Sequence, residues 1–111
     1  MNRQITTEEF KKVVIKNEQL SLVQFKKEWN GASQIIAPVY NDLADTYNGI
    51  VDFFTVDLEL EPGLDQEFGV RELPTILFFI QGKVIDHAIG LTAKNILISK
   101  IELAIAGKTN S

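Results

Sequence analysis

A near-continuous apolar run that turns directly into a helix start constrains this chain more than any other stretch. Leu22, Val23 and Phe25 form the run, a charged turn spans Lys26 to Glu28, and Ile35, Ile36 and Val39 resume at helical spacing. A strand with almost no polar alternation reads as one covered on both faces, and Gln24 is the one odd residue inside it. Between the two halves lies Trp29-Asn30-Gly31-Ala32-Ser33-Gln34. Asn30 offers a side-chain oxygen to the first free amides of a helix, and Gly31 lets the backbone turn tightly. The stretch therefore reads as strand, turn, helix, with a helix N-terminus aimed at solvent.

The same alternation runs through the rest of the chain. Arg3 to Ile5 predicts a short leading strand. Thr6 stands three residues before Glu9 as a capping box, and Phe10, Val13 and Val14 follow at helical spacing, so a first helix is expected from Thr7 to about Lys16. Leu20 to Phe25 is the first long strand. The helix after Asn30 is expected to bury Ile35, Ile36, Val39, Tyr40, Leu43, Ala44 and Tyr47, to kink at Pro38, and to end at Asn48-Gly49. Val51 to Asp57 is a further strand, and the segment from Glu59 to Gly63 starts a short helix that runs through Phe68 and closes at Gly69. Ile76 to Ile80 and Lys83 to Ile89 flank Gln81-Gly82 as an antiparallel hairpin. Thr92 is the expected cap of a last helix that buries Leu97, Ile98, Ile101, Ala104 and Ile105 and stops at Gly107.

The resulting order, β-α-β-α-β-α-β-β-α, predicts an α/β fold: a parallel core sheet extended by two antiparallel strands, five strands in all, flanked by four helices. One domain over residues 1–107 and a polar tail over 108–111 are expected. With 111 residues, the chain is long enough to bury a core without disulfide or metal, and 45% hydrophobic residues with 23% charged ones are ordinary globular values. A net charge of -4 opposes a phosphate backbone, so no nucleic-acid partner is expected. The first residues lead straight into Glu8-Glu9 and Lys11-Lys12 without an apolar leader, and no later run has membrane-spanning length, which predicts a cytoplasmic protein with no membrane partner.

The segment from Phe25 to Pro38 resembles the active-site segment of the thioredoxin family, where Trp-Cys-Gly-Pro-Cys-Lys follows a buried strand and opens a helix that later contains Ile-Ala-Pro. Trp29, Gly31 and Ile36-Ala37-Pro38 stand as in that family, and Phe10, Pro74-Thr75, Gly82 and Gly90 match further landmarks without a gap. The resemblance implies the thioredoxin fold, a cis bond between Leu73 and Pro74 facing the active-site turn, and a groove for an extended polypeptide formed by Trp29, Asn30, Gly31, Ala32, Ser33, Leu73, Pro74 and Gly90.

Asn30 and Ser33 occupy the family's two cysteine positions, Ala32 the proline between them, and the chain has no cysteine. The family's reaction needs a thiolate to attack a disulfide and a second thiol to resolve the mixed disulfide. Further substitutions accompany that loss: Gln24 stands for the buried aspartate, Lys26 for an aromatic residue, Gln34 and Thr55 for lysines. A neutral amide is the cheaper occupant of a buried site once no thiol needs a carboxylate. The expected function is a redox-inactive thioredoxin-like protein, a noncovalent polypeptide-binding or adaptor module, with no catalytic residue and no cofactor.

Two alternatives are enzymatic. A thioredoxin-type disulfide oxidoreductase rests on family analogy, and a Ser33-dependent transferase lacks a base that the motif places. Trp29 reads either as a lid on the core or as a rim for bound peptide. His87 and Asp86 point to opposite faces of a strand and carry no chemistry, while Asp57, Glu59 and Glu61 read as a solvated acidic edge, so no metal is expected.

Overall fold

The computed structural model describes residues 1–110, with side chains to residue 107. Nine elements follow one another: β1 (Asn2–Gln4), α1 (Thr7–Val13), β2 (Ser21–Lys26), α2 (Gly31–Thr46), β3 (Asp52–Asp57), α3 (Leu64–Glu67), β4 (Thr75–Ile80), β5 (Lys83–Ile89) and α4 (Lys94–Asn110). The strands form one sheet in the order β1-β3-β2-β4-β5. β1 and β2 run parallel to β3, β4 runs antiparallel to β2, and β5 antiparallel to β4. Among the described residues no helix is long and apolar enough to cross a membrane.

The period-two alternation of strands divides the apolar residues between two cores. Leu22, Phe53, Ile76 and Phe78 face Ile36, Tyr40 and Leu43 of α2 and Leu97 and Ile101 of α4. Val23, Phe25, Phe54, Leu77 and Phe79 face Phe10 of α1 and Leu64 of α3. Both faces of the sheet are covered, which is why β2 carries no apolar-polar alternation. On the second face Phe10, Phe68 and Phe79 meet edge to face, with ring centroids 5.4–5.6 Å apart. On the first face the fully buried Tyr40 hydroxyl reaches the carbonyls of Leu22 at 3.0 Å and Phe54 at 2.7 Å, and burial holds its pKa well above the usual value.

Local signals set most boundaries. Thr6 and Glu9 form the reciprocal capping box of α1. At the β4–β5 turn, Gln81 and Gly82 both take left-handed backbone angles, φ 53° and 77°, the twist that matches a two-residue hairpin. Several expectations are corrected. Ile35 is exposed, because Ile36, Tyr40, Leu43 and Tyr47 centre the buried arc of α2 and leave Ile35 outside it. Ile98 is likewise on the exposed side of α4, where Leu97 and Ile101 take the core. Helix α1 ends at Val13 with Val14 as its cap, short of Lys16. Thr92 does not cap α4: its hydroxyl donates to the Gly90 carbonyl at 3.2 Å, and the first helical bonds of Ile96 and Leu97 end on Ala93. Helix α4 passes through Gly107 to Asn110, since a glycine costs a helix about 1 kcal/mol without forcing it to stop. Of the expected tail, Ser111 lies outside the described residues.

Candidate functional site

Register brings distant segments to one end of the sheet. Phe25 near the end of β2 lies opposite Thr75 at the start of β4, and Thr75 lies opposite Ile89 at the end of β5. Lys26 is level with Asp57, the last residue of β3. The turn after β2, the Leu73-Pro74 segment, Gly90 and the loop after β3 therefore leave the sheet at the same edge, beyond the carboxyl ends of the parallel strands, where open α/β sheets place their binding crevices.

Asn30 is the N-cap of α2, in extended conformation, and its Oδ1 accepts the backbone N–H of Ser33 at 2.8 Å. The Asn30 carboxamide is thus committed to holding the helix start. The turn before it is tied by the Asn30 N–H to the Lys27 carbonyl at 3.1 Å and by Gln34 Nε2 to the Glu28 carbonyl at 2.7 Å. Trp29 stands 66% exposed, with Lys27 Nζ 5.6 Å from its ring centroid, within cation–π range. This exposure does not fit the reading of Trp29 as a lid on the core. Gly31 is exposed and Ala32 half-buried.

Across from the turn, Leu73 is half-buried and its peptide bond to the buried Pro74 is cis. Gly90 donates its N–H to the Pro74 carbonyl at 2.7 Å, and the Thr75 hydroxyl donates to the Glu72 carbonyl at 2.6 Å. Gly90 sits at φ 75°, and a Cβ there would collide with the Glu72 carboxylate. Only glycine satisfies both conditions without moving a neighbour.

Ser33 does not join this surface. It is 4% exposed, and its Oγ is the one buried side-chain polar atom among the described residues without a hydrogen-bond partner. It lines a polar cleft of about 340 Å³ behind the turn, together with Gln24, Thr55, Asn41 and Lys26. Gln24 and Thr55 are register partners on β2 and β3. The Thr55 hydroxyl donates to Asn2 Oδ1 at 2.9 Å, and Asn2 Nδ2 donates to Asn41 Oδ1 at 3.0 Å. Lys26 pairs with Glu28 and, at 3.7 Å, with the buried Asp57.

A nucleophile needs access and a base, and Ser33 Oγ has neither a solvent-facing surface nor a bonded histidine or lysine. His87 lies on the exposed β5 strand, and its N–H donates to Asp86 Oδ1 at 2.8 Å. The acidic residues near β3 are engaged locally: Asp57 accepts from the Glu59 N–H at 3.0 Å, and Glu61 from the Thr7 N–H at 2.7 Å. The sequence reading missed Leu60 and Leu91, which are 64% and 56% exposed on the loops leaving β3 and β5 at this sheet end. Their signal was weak, two single apolar residues lying outside any periodic pattern.

The family model described as Thioredoxin matches residues 2–103 of the chain. A thioredoxin of Rickettsia felis is 31% identical over 105 residues, which is 95% of this chain and 100% of that protein. A thioredoxin of Chlorobaculum thiosulfatiphilum is 30% identical over 97 residues, 87% of this chain and 90% of the other. A chloroplastic M-type thioredoxin of Brassica napus is 33% identical over 90 residues, 81% of this chain and 51% of that protein. That match over most of the chain, carried by a mixed five-stranded sheet with four helices, shows that the chain belongs to the thioredoxin family.

Proposed function

We propose that this chain is a redox-inactive thioredoxin-like protein that binds an extended polypeptide without a covalent intermediate. The observation that carries the reading is a division of roles at one sheet end. The two positions that would need thiols hold Asn30, whose carboxamide caps α2, and Ser33, whose hydroxyl is buried, while Leu73, Pro74 and Gly90 keep a backbone strip flanked by exposed Trp29, Leu60 and Leu91. Strand addition on such a strip uses main-chain groups and apolar flanks and needs no cysteine. Thiol–disulfide exchange needs at least one protein thiolate, which the chain cannot supply. Without a covalent intermediate the complex rests on noncovalent contacts alone, so binding is weak and fast-exchanging unless the partner buries on the order of 1,200 Å².

Two measurements test this. In insulin reduction by dithiothreitol, the rate should be the same with and without the protein, and an acceleration like that of an active thioredoxin would refute the redox-inactive half. In amide-shift titration with a reduced and carboxymethylated unfolded polypeptide, shifts should appear at Trp29, Leu73, Gly90 and Leu91. Shifts confined to the far helix around Ile98 and Ile101 would place binding elsewhere.

A further inference from the structure

The sheet has one long open edge. β5 pairs with β4 on one side and with no described strand on the other, and the opposite edge, β1, is only three residues long. An exposed edge rich in apolar side chains is a template for pairing with another chain, and Val84, Ile85 and Ile89 of β5 are each about half exposed. Where its free hydrogen-bonding groups lie follows from the ladder. The Gly90 N–H points inward to Pro74, so alternation sends Ala88 and Asp86 inward as well and turns the backbone groups of His87 and Ile89 to the open side. Beyond Asp86 the register slips. Phe78 pairs with Asp86 but Phe79 with Val84, which leaves Ile85 as a bulge.

The stretch able to accept a regular partner therefore begins at His87, and there the donor is already taken. The His87 N–H donates to Asp86 Oδ1 at 2.8 Å. The carboxylate is in turn held by Lys100 of α4, whose Nζ lies 3.2 Å from Oδ1 and 3.5 Å from Oδ2. We propose that Asp86, tethered by Lys100, guards the β5 edge, and that with the guard withdrawn β5 pairs with β5 of a second copy of the chain.

A second copy is the occupant because the segment is self-complementary. In an antiparallel pairing about a two-fold axis at Ala88, His87 of each copy exchanges both backbone bonds with Ile89 of the other and Ala88 faces Ala88, so no two like charges are opposed and the bulge at Ile85 stays outside the pairing. The guard is a local side-chain bond that competes with strand pairing for one amide.

Sedimentation equilibrium tests the assignment. The unaltered protein should sediment as a 12.5 kDa monomer. Asp86→Ala should self-associate at least about tenfold more tightly, the equivalent of one charge-assisted hydrogen bond, and Lys100→Met should lie between the two. Asp86→Ala combined with His87→Pro should return to monomer, since proline has no N–H and this one takes no part in the ladder with β4. Amide exchange gives a readout that needs no proline: the His87 N–H should exchange about tenfold faster in dilute Asp86→Ala than in the unaltered protein. Asp86→Ala remaining as monomeric as the parent, equal association of the parent, persistence of the dimer in the double variant, or unchanged His87 exchange would each overturn the proposal.

Discussion

Replacing Ser33 by alanine should stabilise the protein, an outcome contrary to the usual effect of core substitutions. Ser33 is 4% exposed and its Oγ has no partner among the described residues, so the folded state bears the desolvation of a hydroxyl with no bond in return. Leaving such a group unsatisfied costs about 1–3 kcal/mol. The change creates no cavity larger than a single oxygen and leaves the Ser33 backbone N–H free to bond Asn30 Oδ1. The position is inside the first turn of α2, where alanine also has the better helix propensity by a few tenths of a kcal/mol. Both contributions have the same sign, and their sum is about 1–3 kcal/mol. In urea unfolding that is a midpoint higher by about 0.5–1.5 M at unchanged slope. The companion variant Asn30→Ala removes the cap itself and should lose about 1 kcal/mol. Because Asn30 bonds the backbone of residue 33 and not its hydroxyl, the double variant should equal the sum of the two singles to within about 0.5 kcal/mol. A lower midpoint for Ser33→Ala would refute the reasoning, because it would mean that the hydroxyl makes a bond worth more than its burial costs.

Gly90→Ala should lose about 1–2 kcal/mol from its left-handed backbone alone, and displacement of Glu72 should weaken the amide-shift response to an unfolded polypeptide. Denaturant unfolding and the titration together check it, and unchanged stability would mean that the Gly90 turn can relax. Alkaline stability should depend on Tyr47, whose pKa is pushed up to about 12 by burial and then by the Glu102 carboxylate that accepts its hydroxyl at 2.7 Å. A group raised in the folded state contributes fully below its unfolded value near 10, and its contribution is lost as pH rises from there through about 12. Tyr47→Phe should therefore flatten the loss of stability across that window, and an identical slope in both proteins would count against the assignment.

What the sequence disclosed was mostly local. Asn30 could be identified as a cap because its partner, the Ser33 amide, is three residues away, and Gln81-Gly82 as a hairpin turn because the pair must supply two left-handed residues. Ile35 was misjudged because apolar character at helical spacing does not say where the arc of contact is centred; that is decided by strands β2 and β3 and helix α4, which press on Ile36 and Tyr40 instead. Leu60 and Leu91 were missed since only the register of three strands brings their loops to one end. The Asp86–Lys100 tether joins residues on a strand and a helix, and no spacing rule announces it.

The replaced residues show best how local reading and tertiary placement combine. Gln24, Thr55 and Ser33 are separate substitutions along the chain, yet register pairs the first two and all three are buried members of one cleft lining. A buried carboxylate beside a lysine is stable only as a pair, because removing one partner leaves an uncompensated charge that costs about 3–5 kcal/mol. Gln24 and Thr55 carry no charge, so that state does not arise here. The neutral pair that remains can accept and donate hydrogen bonds without ionising, as Thr55 does toward Asn2, but cannot take up a proton from a neighbouring hydroxyl near neutral pH. Gln24 and Thr55 therefore offer Ser33 no base, and Lys26 of the same lining is held by Glu28 and Asp57.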